Sequence, residues 1–138
     1  MNIRDKIAVV TGGSEGIGFG ISSALAQRGA HIYLVARTKE KLETAKREIV
    51  EKGGKADICQ ADITDLPRMK RVIDDIYKQH NRIDIFVNNA GTYRRVTLDS
   101  FHEDLHYLDK LNSIAPRDLT HYLIQKARET RKDLSILT

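Results

Sequence analysis

The 138 residues contain no pair of cysteines: Cys59 stands alone, so no internal disulfide can form, and a reducing compartment suits the chain. Long hydrophobic runs are missing too. No apolar stretch approaches the roughly 20 residues of a membrane-crossing helix, and the charged start, Met1 to Lys6, has no signal-peptide character. The expectation is therefore a soluble, cytoplasmic protein with no membrane partner. Charge of one sign is also scarce. Twenty-three basic residues against 19 acidic ones leave only +4, scattered along the chain, which suits a small anionic ligand and gives no footprint for nucleic acid. Repeats and low-complexity tracts are absent.

What the chain does have is an ordinary globular balance, 41% hydrophobic and 30% charged, enough for one core. Short apolar runs alternate with helical periodicities. Ile7–Val10, Ile32–Val35, Ala56–Cys59 and Ile83–Val87 read as strands, and Leu134–Thr138 as a fifth. Between them, the spacing predicts a helix with Ile17, Ile21, Ala24 and Leu25 on its inner face. A second turns Leu42, Ala45 and Ile49 inward and ends at Gly53-Gly54. A third starts near Thr64 or Asp65, with Pro67 in its first turn, and buries Met69, Val72, Ile73 and Ile76. Two more stripes follow, Phe101-Leu105-Leu108 and Leu119-Leu123-Ala127. Strands alternating with helices predict an α/β fold, a doubly wound parallel sheet of five strands, spanning residues 1–138 as one domain. Such a sheet binds its ligand beyond the strands' carboxyl ends, where the strand order reverses.

The glycine cluster Thr11-Gly12-Gly13-Ser14-Glu15-Gly16-Ile17-Gly18 falls at that place, after the first strand and before the first helix. Glycines let the backbone approach a ligand, and the helix start offers unpaired N–H groups to a pyrophosphate. A P-loop is excluded, because no Gly-Lys-Ser/Thr closes the segment. The bland reading of Gly12, Gly16 and Gly18 is a tight turn with close helix packing.

The spacing Thr11-Gly12-x-x-x-Gly16-x-Gly18 resembles the short-chain dehydrogenase/reductase family. Three further segments match in order: Asp62 within Ala61-Asp62-Ile63-Thr64, the tetrapeptide Asn88-Asn89-Ala90-Gly91, and Asn112. The resemblance implies that residues 1–138 form a dinucleotide-binding domain of the Rossmann fold, incomplete at the C-terminus relative to the family, with a nicotinamide dinucleotide cofactor, a carbonyl or alcohol substrate and, as is common in the family, a homo-oligomer. It implies that Gly12, Ser14, Glu15, Gly16, Ile17 and Gly18 line the pyrophosphate turn and that Asp62 and Ile63 meet the adenine. Asn89, Ala90 and Gly91 would meet the nicotinamide-side ribose, and Asn112 would belong to the catalytic site.

Where an acid normally receives the ribose of NAD, this chain has Val35-Ala36-Arg37-Thr38. Arg37 offers a planar fork of donors to a 2′-phosphate, so NADP(H) is preferred and NAD(H) stays possible. Glu15 points the other way, since NADP-preferring members often carry a base there. The family's serine and Tyr-x-x-x-Lys come after strand five and are not among these residues, so the 138-residue chain alone is expected to be inactive. Tyr122 and Lys126 have the right spacing, but they stand on the helix before strand five and read as packing beside a solvated lysine. Pro116, with no N–H, cannot bond the Asn112 carbonyl as a helix would, leaving that oxygen for a water. Two alternatives remain. One is a non-catalytic NAD(P)-binding module. The other, more distant, is a zinc site at His102-Glu103-x-x-His106, which lacks the glycine of the extended motif because Asp109 stands there.

Overall fold

The computed structural model describes residues 2–91, 99 and 101–138. Five strands form one parallel sheet: β1 (Ile7–Thr11), β2 (His31–Ala36), β3 (Lys55–Gln60), β4 (Ile85–Val87) and β5 (Ser135–Leu137). Their order is β3-β2-β1-β4-β5, so the chain winds outward from β1 in one direction and then returns to build in the other. The reversal lies between β1 and β4, the predicted ligand position.

Every central strand is apolar on both faces, because helices cover both. Val9, Tyr33, Val35 and Phe86 face a cluster completed by α3 (Leu66–His80) and α5 (Ala115–Thr130). Ala8, Val10, Ile32, Leu34, Ile85 and Val87 face a second cluster with α1 (Gly16–Gln27) and α2 (Lys39–Glu51). The predicted inner faces of α2 and α3 are buried as spaced, and the Asp65 carboxylate caps α3 by accepting from the Arg68 N–H at 3.0 Å. Among the described residues, no helix is long and apolar enough to cross a membrane.

Three expectations need correction. The inner line of α1 is Gly18, Ser22 and Ala26, with Ile21 and Leu25 on its flanks, while Ala24 is exposed and Ile17 is 79% exposed. The helix runs so close to the sheet that only small side chains fit beneath it. In α4 (Phe101–Asp109), Leu105 is 43% exposed and Asp104 is buried instead; the Phe101 side chain lies outside the described residues. Residues 110–114 then form a π-turn that joins α4 to α5, with the Ala115 N–H reaching back five residues to the Lys110 carbonyl. The extra residue rotates the helix face, so Leu111, Ala115, Leu119 and Leu123 continue the buried line from a new origin. Finally, β4 is shorter than the apolar run. Asp84, ahead of it, takes the Ile7 N–H at 2.8 Å and the Arg82 guanidinium at 3.0 Å, tying the strand's start to β1.

Candidate functional site

A groove open to solvent, about 260 Å³ in volume, crosses the carboxyl ends of β2, β1 and β4. Its walls include Gly12, Ser14 and Glu15 from the turn after β1, and Arg37, Thr38 and Lys41 from the end of β2 and the first turn of α2. Asp62 and Ile63 follow β3, Ala90 and Gly91 follow β4, and Leu111 comes from the π-turn.

The turn leaves that space clear for structural reasons. Gly12 has φ +63°, and a Cβ there would stand 2.9 Å from the Asn89 carboxamide and 3.0 Å from the Ala90 Cα. Gly18 lies behind the wall: a Cβ there would collide with the Gly12 carbonyl and Asn89. Glu15 occupies the N-cap of α1 with extended backbone, but no side chain caps the helix. Its carboxylate turns to Lys41 instead, at 2.9 and 3.1 Å.

The strand ends are tied together beneath the groove. The Thr11 hydroxyl donates to the Val87 carbonyl at 3.1 Å and accepts from the Asn89 and Ala90 amides at 3.1 and 3.0 Å. The Asn89 carboxamide donates to the Gly12 carbonyl at 3.2 Å. Asn88 donates to the Thr120 hydroxyl, reaching α5. Asp62 makes a turn on itself, its Oδ1 accepting from the Thr64 N–H and hydroxyl at 2.9 and 2.8 Å. Gln60 donates to the Arg37 carbonyl at 3.0 Å, and the Arg37 Nη1 donates to the Tyr107 hydroxyl on α4 at 3.2 Å.

Of the sequence-predicted residues, Gly12, Ser14, Glu15, Arg37, Asp62, Ile63, Ala90 and Gly91 meet on the groove wall. Gly16, Ile17, Gly18, Asn89 and Asn112 do not. Gly16 supplies a positive φ of +58° at the start of α1, and Ile17 projects into solvent. Gly18 and Asn89 pack one layer behind. Asn112 is exposed on the π-turn, its carboxamide oxygen 3.1 Å from where a Cβ on Gly91 would stand. Sequence reasoning missed Lys41, whose one signal was its position four residues after Arg37, and Tyr107, whose approach is purely tertiary.

The rival sites lie elsewhere. The Tyr122 hydroxyl donates to Asp74 on α3 at 2.7 Å, and Lys126 reaches the same carboxylate oxygen at 3.0 Å. Lys126 is thus ion-paired rather than solvated, and the pair locks α5 onto α3. Burial pushes the Tyr122 phenol up, and the Asp74 carboxylate adds to the shift, opposite to what a proton-transferring tyrosine needs. His102 and His106 fall on α4, and among the described residues no cluster of three or more histidines, cysteines or acids is placed to hold a metal.

Comparison with known proteins agrees with this geometry. The family model described as short chain dehydrogenase matches residues 6–126. A fatty acyl-CoA reductase of Acinetobacter baylyi is 41% identical over 72% of this chain and 34% of its own length. The short-chain dehydrogenase/reductase FrzI of a Cladobotryum species is 39% identical over 91% and 48%. The chain therefore spans a third to a half of the length of these curated relatives. Among solved structures, a metagenomic short-chain oxidoreductase in complex with NADP superposes with a TM-score of 0.87 at 30% identity, over 96% of this chain and 61% of that one. L-Sorbose reductase from Gluconobacter frateurii, complexed with NADPH and L-sorbose, gives 0.87 at 32%, over 99% and 53%. An NAD+-bound xylitol dehydrogenase shares the fold, with a TM-score of 0.87 at 22% identity, over 96% and 52%. A reversed strand order, a groove at the reversal and a family match over nearly the whole length lead to one assignment: the chain belongs to the short-chain dehydrogenase/reductase family.

Proposed function

We propose that the groove binds NADP(H) in preference to NAD(H), for hydride transfer between the cofactor and a carbonyl or alcohol substrate. The observation that carries this reading is the pair of cations at the end of β2. Arg37 and Lys41 share one wall, and the residue directly after β2 is Arg37 rather than an acid that would receive an unphosphorylated ribose. A 2′-phosphate would take Arg37 as a planar donor fork and Lys41 as a point charge. Lys41 is shared with the Glu15 carboxylate at 2.9 Å, so it offsets that charge and Arg37 carries most of the preference.

The residues present fit the rest of the cofactor. The uncapped start of α1 and the bare backbone at Gly12 suit a pyrophosphate. Ser14, Glu15 and Gly16 form that turn, with Ile17 and Gly18 shaping it from the helix side. Asp62, held by its own turn, and the buried Ile63 suit the adenine. Ala90 and Gly91, backed by Asn89, suit the nicotinamide-side ribose. When bound, the nicotinamide supplies or accepts the hydride. Asn112 stands beside Gly91 at a π-turn, a local geometry found frequently at functional sites, and is the catalytic-site residue in this chain. The reading is therefore tested on cofactor binding by these residues rather than on turnover.

Titration of the chain with NADPH and NADH tests the reading. Arg37→Ala should weaken NADPH about ten- to a hundredfold, the range of a charge-assisted hydrogen-bond pair, and Lys41→Met by less, with NADH barely changed. Equal affinity of the unaltered chain for both cofactors would remove the NADP(H) assignment.

A further inference from the structure

From the groove wall, the Arg37 side chain reaches a tyrosine on α4. We infer that Tyr107 is a positioning residue for Arg37, fixing its guanidinium where a 2′-phosphate arrives and thereby setting the preference between the two cofactors. This rests on the proposed role of Arg37 itself.

Two independent restraints act on Arg37. Its backbone is held from β3, because the Gln60 carboxamide donates to the Arg37 carbonyl at 3.0 Å. Its side-chain end is held from α4, because Nη1 donates to the Tyr107 hydroxyl at 3.2 Å. Tyr107 is a firm anchor: it is half-buried, with its side chain packed against the core cluster that includes Leu111 and Ala115. An exposed arginine otherwise samples many rotamers, at a cost of about 2 kcal/mol in entropy when it is ordered. A guanidinium already tethered at one nitrogen keeps other donors of its five for an anion and has lost part of that freedom before the ligand arrives. Only a ligand carrying a phosphate on the adenosine ribose benefits. The contact therefore acts on NADP(H) and leaves NAD(H) untouched.

The alternative is that Tyr107 competes with the phosphate for Arg37, and the two ideas predict opposite signs. The test measures affinities of the chain for NADPH, NADH and 2′-AMP in the unaltered protein, in Tyr107→Phe, in Arg37→Ala and in the double variant. Tyr107→Phe keeps the ring in the core and deletes only the oxygen. It should weaken NADPH and 2′-AMP about three- to tenfold, as expected for one hydrogen bond, and leave NADH unchanged. In the Arg37→Ala background the same substitution should have no effect. Unchanged or tighter NADPH binding in Tyr107→Phe overturns the positioning role. So does a parallel loss of NADH, which marks a purely structural contact. If the unaltered chain binds both cofactors equally, the Arg37 reading falls and takes this one with it; if it prefers NADPH while Tyr107→Phe keeps that preference, only the Tyr107 role falls.

Discussion

Thr11 closes the last hydrogen bonds between β1 and the loop after β4, and its hydroxyl is saturated: one proton given to Val87, two lone pairs taken by Asn89 and Ala90. The residue is 1% exposed, so water cannot replace a lost partner. Valine has the same shape without the oxygen. Thr11→Val would leave the Ala90 amide unsatisfied beneath the groove and should cost about 1–3 kcal/mol in stability, read from the urea midpoint. Thr11→Ser, which keeps the oxygen, should cost less. The same oxygen holds the backbone of Asn89 and Ala90, so the valine variant should also bind cofactor more weakly.

At the scale of the helix, α1 shows how close packing inverts an ordinary pattern. The large apolar residues Ile21 and Leu25 flank the contact, while its centre is Gly18, Ser22 and Ala26, with the Ser22 hydroxyl satisfied by the Gly18 carbonyl at 2.8 Å. The Ala26 side chain abuts the turn at Gly54, where a Cβ would come within 3.0 Å of it. Ala26→Leu should therefore overpack the interface and cost about 1–3 kcal/mol. Ile17→Ala, at an exposed site, should stay within about 0.5 kcal/mol. Denaturant titration of the two variants checks the order; a larger loss for Ile17→Ala would mean the inner face is the one the sequence suggested.

That helix also marks the limit of what the sequence reveals. Periodicity locates a buried face through side-chain volume, which worked for Leu42, Ala45 and Ile49 and for Met69, Val72, Ile73 and Ile76. It fails where contact demands the lack of volume, as at Gly18, and where a π-turn shifts the count, as between Leu105 and Leu111. The groove residues at strand ends were legible, since alternation of strands and helices brings Gly12, Arg37, Asp62 and Gly91 to one edge of the sheet. Lys41, on the groove wall, and Tyr107, bonded to Arg37, were not, because each comes from a helix whose direction only the packed molecule defines.

Across the whole molecule, the carboxyl ends of the strands carry the groove and the β2–β3 side of the opposite end carries a titrating cluster. His31, the first residue of β2, meets Asp57 of β3 at 2.7 Å and stacks on Tyr33. The Tyr33 hydroxyl lies 2.7 Å from the His80 Nε2 and 3.2 Å from Gln79, both in the last turn of α3, while Lys46 of α2 approaches Asp57 at 3.3 Å. Burial pulls the His80 pKa below 6.5, and the charges of His31 and Arg82 act the same way against a weaker pull from Asp57. Burial pushes the Asp57 carboxyl up, but its bonds to His31 and Lys46 outweigh that and hold it below 3.8. Burial, with the Asp57 and Cys59 charges, raises Tyr33 to about 12. For His80 and Asp57 the unfolded chain takes up protons first as pH falls, so both stabilise the fold above their ordinary pKa values and lose that contribution on acidification. Tyr33 has the opposite sign: its contribution is whole below 10 and fades as pH rises toward 12. Burial likewise raises the Cys59 thiol from 9.0 to about 11, so its contribution also fades on the alkaline side. Stability should thus be greatest between about pH 7 and 9 and begin to fall below about 6.5, where a neutral histidine must charge. His80→Gln removes that titration. Its urea midpoint should change less than that of the unaltered chain between about pH 7 and 5, with the alkaline decline retained. An identical acid slope in the two proteins would show that the loss arises at other groups.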